Sequence, residues 1–130
     1  MTPSLEPILQ ALAPLEGVRL AIVYGSFSKG TQRPESDLDI AVDMGQVMTA
    51  QQHICIISAL AMATGRPIDL IDLRKVGEPL LGQILKYGRR IMGSDVVHAQ
   101  YMTRHIMDVE DFVPLQERIL RERRQAWIGK

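Results

Sequence analysis

The chain has 130 residues, 46% of them hydrophobic and 23% charged, which argues for one folded domain with a sizeable core and against disorder. Fifteen Lys+Arg balance fifteen Asp+Glu, so the long-range basic field of a non-specific nucleic-acid binder is absent. Cys55 is the single cysteine, which excludes an intrachain disulfide framework, and 5% aromatic residues are too few for base-stacking platforms.

No apolar run approaches the ~20 residues of a membrane span. The segment Met1-Thr2-Pro3-Ser4-Leu5-Glu6 lacks a basic region leading into an apolar stretch, so no secretory signal is expected and the predicted location is the cytoplasm.

In chain order, Leu5, Ile8, Leu9 and Leu12 share one helical face, and Pro14 and Gly17 close that helix. Val18 to Tyr24 is a compact apolar run ending at Gly25 and predicts a buried strand. Ser28 to Ser36 is polar, with Gly30 and Pro34, and reads as a loop. Leu38 to Val42 predicts a second strand, with Asp37 and Asp39 interleaved among apolar residues. Residues 46–64 carry Val47, Ile54, Ile57, Leu60 and Ala61 at helical spacing, and Gly65-Arg66-Pro67 stops them. Ile68 to Leu73 is a third strand, Gly77-Glu78-Pro79 starts another helix, and Arg90 to Met92 predicts a short edge strand. From Ser94 the pattern is helical to Trp127, with a break at Pro114. These elements imply an α+β fold: a small mixed β-sheet packed by helices. Residues 1–95 form the sheet-bearing domain and residues 96–130 a C-terminal helical extension of the same unit.

The chemistry is concentrated in Gly25-Ser26 and Asp37-Leu38-Asp39. Residues two apart on a strand point to the same face, so Asp37 and Asp39 repel each other. Lys29 and Arg33 lie in the loop and not on the strand, so neither carboxylate has a strand neighbour to neutralise it. A divalent cation resolves the repulsion, and paired Asp with positions open to water and phosphate suits Mg²⁺. The third strand offers Asp69 or Asp72, whose spacing of three puts them on opposite faces. Asp69 is favoured because it lies in the strand body, whereas Asp72 is near the exit and is followed by Arg74 and Lys75. A strand ending in Gly25-Ser26 presents backbone N–H groups and a hydroxyl to a phosphate. Phosphate held at one strand end and metal at the next is the arrangement that nucleotidyl transfer needs.

Gly25-Ser26, ten residues, then Asp37-Leu38-Asp39 resembles the G-S-x10-D-x-D signature of the DNA polymerase beta-like nucleotidyltransferases. Four fixed residues at ordinary usage arise by chance in such a chain about once in a thousand. Gly30 and Ser36 also follow that pattern, and the resemblance covers about residues 5–95. Within the family, the short length resembles the minimal nucleotidyltransferase (MNT) antitoxins of HEPN/MNT toxin–antitoxin pairs. The resemblance implies a polymerase beta-like fold and a catalytic, metal-binding set of Asp37, Asp39 and Asp69, with Gly25 and Ser26 on the nucleotide. It implies Mg²⁺ as cofactor, ATP as co-substrate, and transfer of AMP to a tyrosine of a HEPN RNase toxin in a hetero-oligomer. Neither nucleic acid nor membrane is expected as a direct partner. Two alternatives are a non-catalytic module that neutralises its partner by occlusion, and a nucleotidyltransferase acting on a small molecule. The chain has no room for a separate substrate domain, which favours an acceptor docked by a partner protein.

Other residues read more simply. Lys29, Arg33 and Arg66 are solvated loop charges, and Tyr24 is either core or pocket wall. His53, His98 and His105 form no ligand pair, though His98 and His105 are two helical turns apart. Cys55, between Ile54 and Ile56, is expected in the core, and Met92, Met102 and Met107 are core filler or an adaptable face. The cluster from Arg118 to Arg124 reads as a solvated helix face.

Overall fold

A computed structural model of the chain describes residues 5–25 and 37–109. The described residues form, in chain order, α1 (Glu6–Leu12), β1 (Leu20–Tyr24), β2 (Leu38–Asp43), α2 (Ala50–Thr64), β3 (Ile68–Asp72), α3 (Leu80–Tyr87), β4 (Arg89–Gly93) and α4 (95–109). The strands make one mixed sheet in the order β3-β2-β1-β4. β1 is antiparallel to both β2 and β4, and β2 is parallel to β3. Parallel neighbours need a crossover, and α2 supplies it.

Both ends of α2 follow from local sequence. Gln52 N–H donates to Thr49 Oγ1 (3.1 Å), and Thr49 N–H donates to Gln52 Oε1 (3.0 Å), a reciprocal capping box. This cap starts the helix at Ala50, later than the expected 46, because Thr49 is the N-cap and is itself extended. At the other end Gly65 adopts φ +68°, the left-handed conformation that ends a helix.

The sheet is apolar on both faces. One face presents Ala21, Val23, Leu38, Ile40, Val42 and Leu70 to Ile8 and Leu12 of α1 and Ile56 and Leu60 of α2. The other presents Leu20, Ile22 and Ala41, with Leu73 just beyond β3, to Leu81 and Ile84 of α3 and Val97 and Tyr101 of α4. Each such buried aliphatic side chain contributes roughly 1.5–3 kcal/mol. β2 alternates between the faces, so Leu38, Ile40 and Val42 sit in the first core while Asp37, Asp39, Ala41 and Asp43 share the second face. The covering helices meet that second face over Ala41 and leave the Asp39 end beyond their apolar contact.

Cys55 corrects the sequence reading: it is exposed. Helical phase places Ile56 and Leu60 inward and turns Ile54 and Cys55 outward, whatever the apolar character of the tripeptide. Met102 and Met107 are likewise exposed on α4, while Met92 packs against the first core. The helix expected from Ser94 to Trp127 is present over 95–109, and its remainder lies outside the described residues. Among the described residues no helix is long and apolar enough to cross a membrane.

Candidate active site

The sheet register assembles the site. β1 and β2 pair Tyr24 with Asp39, and β2 and β3 pair Asp39 with Asp69, so the three side chains form one row across one face. Asp37 stands two residues from Asp39 on the same face and is exposed. Gly25 follows Tyr24 with φ +71°, and a Cβ there would overlap the Asp39 carboxylate. Glycine is therefore required on two counts: backbone conformation, and a bay between the β1 exit and the β2 carboxylate.

Among the described residues the electrostatics are those of an acidic cluster. The Asp39 carboxyl is pushed up to about 6, first by burial, then by a hydrogen bond shared with the Asp69 carboxyl and by the charges of Asp69 and Asp37. Tyr24 is half-buried beside the same pair, and its phenol is pushed up by burial, then by Asp69 and Asp39. Carboxyl groups crowded in this way can be relieved by a divalent cation. The donor set is all carboxylate oxygen, beside a bay that a single methyl group would fill, and it fits a hard cation with open positions for phosphate. Among the described residues no three His, Cys, Asp or Glu side chains already converge as a complete ligand set. Asp39 and Asp69 are the close pair.

Asp72 is occupied elsewhere. Its carboxylate accepts from Met48 N–H (2.8 Å) and Arg74 N–H (2.9 Å), tying the α2 approach to the turn after β3. Asp43, two positions beyond Ala41, is buried and accepts from Arg74 Nε (3.0 Å), Gly45 N–H (2.6 Å) and the Tyr101 hydroxyl (2.8 Å). Those donors hold its carboxyl below the usual range despite burial. The sequence reading missed this cluster, although the Asp37, Asp39, Asp43 series has the period of one strand face.

The remaining histidines are not ligands of this site. His105 Nδ1 lies 2.6 Å from Glu78 Oε1 at the start of α3, and His53 lines a cavity near Asp72. Ser26, Lys29, Arg33 and the Arg118–Arg124 cluster lie outside the described residues.

The family model for polymerase beta nucleotidyltransferases matches residues 6–96. The chain belongs to the polymerase beta nucleotidyltransferase family. That span contains all four strands and both halves of the signature, Gly25-Ser26 and Asp37-Leu38-Asp39. This nucleotidyltransferase is 32% identical over 77 residues to protein adenylyltransferase MntA of Shewanella oneidensis, covering 59% of this chain and 55% of that protein. It thus spans about half the length of the curated relative it matches. Solved structures share its fold. One, a toxin–antitoxin with AMP-PNP, aligns over 92% of this chain and 98% of its own with a TM-score of 0.78 at 24% identity. Another, a tri-AMPylated Shewanella oneidensis HEPN toxin in complex with MNT antitoxin, aligns over 90% and 92% with a TM-score of 0.70 at 21% identity. Both alignments are too long to stop at residue 96, so the common fold extends past the family's core.

Proposed function

We propose that this chain is the antitoxin of a HEPN/MNT pair, a Mg²⁺-dependent protein adenylyltransferase that moves AMP from ATP to a tyrosine hydroxyl of a HEPN-domain toxin. The observation that carries this reading is the row of Asp39 and Asp69 in register, with Gly25 close against the Asp39 carboxylate. The likeness to MntA supports the adenylyl donor and the protein acceptor.

Each residue has a role in this reading. Gly25 leaves room for a phosphate beside Asp39, and Ser26 adds a hydroxyl donor. Asp37, Asp39 and Asp69 hold Mg²⁺, which when bound neutralises triphosphate charge and stabilises departing pyrophosphate. Asp69, at the open end of the row, faces the acceptor and takes the hydroxyl proton. Tyr24 closes the opposite end of the row and keeps water from the Asp39 carboxyl.

Incubation with α-labelled ATP, Mg²⁺ and a HEPN-domain protein tests the proposal. Label is expected on a tyrosine of the HEPN protein and is expected to vanish with Asp39→Ala while the complex persists. Toxin neutralisation retained by that variant would overturn catalysis in favour of occlusion. Label on a small-molecule hydroxyl in preference to protein would overturn the choice of acceptor.

A further inference from the structure

The two edges of the sheet are built differently. β4, at one edge, carries Arg89 and Arg90, and its register with β1 shifts between Ala21 and Ile22. Charge and a bulge are the usual protections of an exposed edge. β3, at the other edge, pairs with β2 without a shift and contains no Pro, Lys or Arg; its charges are Asp69, in the row with Asp39, and Asp72, which accepts from the Met48 and Arg74 amides. Among the described residues nothing pairs with its outer side.

Which backbone groups face outward follows from the ladder. In a parallel pair, alternate residues turn both N–H and C=O toward the neighbour. Leu38 N–H donates to Pro67 C=O, and Leu73 N–H donates to Val42 C=O. With Asp39 opposite Asp69, this assigns Pro67, Asp69, Ile71 and Leu73 to the β2 side. Ile68, Leu70 and Asp72 turn outward. Asp72 C=O already accepts from Lys75 and Val76 N–H, and among the described residues the outward groups of Ile68 and Leu70 meet no backbone partner.

We infer that an extended segment of the acceptor protein adds as a fifth strand to β3, and that its residue opposite Asp69 is the hydroxyl that receives AMP. The inference rests on the protein-adenylyltransferase reading above. An added strand lies about 4.8 Å from β3, so its side chain at that register continues the row Tyr24, Asp39, Asp69. The acceptor oxygen then stands beside the Asp69 carboxylate. It bonds to the α-phosphorus of ATP, its proton passes to Asp69, and pyrophosphate departs with the electrons of the broken P–O bond. Residues one before and one after the acceptor point to the opposite face. There a 300 Å³ cavity lined by Met48, Leu70, His53, Asp72 and Lys75 has room for a side chain. Recognition is carried mainly by main-chain hydrogen bonds, so the required acceptor chemistry is an extended peptide with a hydroxyl residue in one register.

Amide hydrogen exchange on the full chain, in complex with the HEPN protein and AMP-PNP, tests the inference. The Ile68 and Leu70 amides are expected to slow at least tenfold on complex formation. Those of Asp69 and Ile71, already bonded to β2, are expected to change little. In steady-state transfer, Ile68→Pro removes one outward N–H and none of the β2 ladder. It is expected to raise the acceptor KM at least tenfold with a melting temperature within a few degrees of wild type. If that variant fails to fold, the wild-type exchange pattern decides alone. AMP transfer without protection at Ile68 and Leu70 would overturn strand addition and leave the adenylyltransferase reading intact. Protection without any AMP transfer would overturn the enzymatic reading and support the docking edge.

Discussion

Strand β2 carries aspartates at both ends of one face, and the fold treats the two ends in opposite ways. Asp43 is buried to 1% exposure and receives three donors, from Arg74, Gly45 and Tyr101. Asp39, four residues earlier, meets Asp69, Asp37 and the Tyr24 ring. Burial pushes both carboxyls upward, and the donors decide the outcome: Asp43 ends below the usual range and Asp39 at about 6. One end is finished by the chain itself. At the other, no described residue supplies a cationic donor, which is the arrangement that the proposed metal site would use.

The sharpest way to break this comparison is Asp39→Asn. Removing one charge from the cluster is expected to lower nucleotidyl transfer by about a thousandfold, the scale of losing one group that stabilises transition-state charge. Its melting temperature is expected to stay level or rise, because repulsion with Asp37 and Asp69 is relieved. Labelled-AMP transfer and thermal melting on the same preparation check both parts. A fall in melting temperature would show that Asp39 is structural, as Asp43 is. Ligand linkage sharpens the point: Mg²⁺ with ATP at one hundred times its Kd adds about 2.7 kcal/mol to the wild type. That gain is expected to vanish in Asp39→Asn and to persist in Asp43→Asn.

Asp43→Asn is expected to cost about 2–3 kcal/mol, because Arg74 loses its buried counter-charge and the Tyr101 and Gly45 donors lose a charged acceptor. Urea melts at pH 7 measure it. The pH dependence has a definite sign. A carboxyl whose folded pKa is lowered stabilises the fold fully above its unfolded value, about 3.9. That stabilisation is lost as pH falls from there through the folded value. Wild type is therefore expected to lose this increment below about pH 4, and Asp43→Asn to lose correspondingly less over the same interval. Parallel acid-loss curves for the two proteins would contradict the Asp43 ion pair.

These two ends also mark what can be read from sequence. The placement of Asp37 and Asp39 on one face is legible because it is local, set by the period of one strand. Asp69 was separable from Asp72 by its place within the strand body, and the register sets it against Asp39 while Asp72 serves the Met48 and Arg74 amides. The Asp43 cluster was not legible, because it joins residues 31 and 58 positions apart on elements whose contact depends on sheet order. Cys55 went astray for a related reason: Ile54-Cys55-Ile56 is apolar as a string, but the phase of α2 admits only Ile56. The bare edge of β3 likewise needs the strand order β3-β2-β1-β4, which no single segment encodes.

The smallest expected effect, and the finest discriminator, is Tyr101→Phe. The ring is 6% exposed among Leu81, Ile84 and Val97, and Arg104 lies over it at 5.2 Å, so the phenyl keeps the packing. Only the hydroxyl bond to Asp43 is lost, and Asp43 retains Arg74 and Gly45, so the cost is about 1 kcal/mol. A double-mutant cycle with Asp43→Ala, which removes the acceptor, isolates the pair, with a coupling energy expected near that value. Arg104 separately fastens α4 through Leu73 C=O (2.9 Å) and Val76 C=O, so the helix stays docked in the variant. Nucleotidyl transfer is then expected within twofold of wild type. A tenfold loss would mean that strain at the Asp43 end travels along β2 to Asp39, and that the two ends of the strand act as one unit.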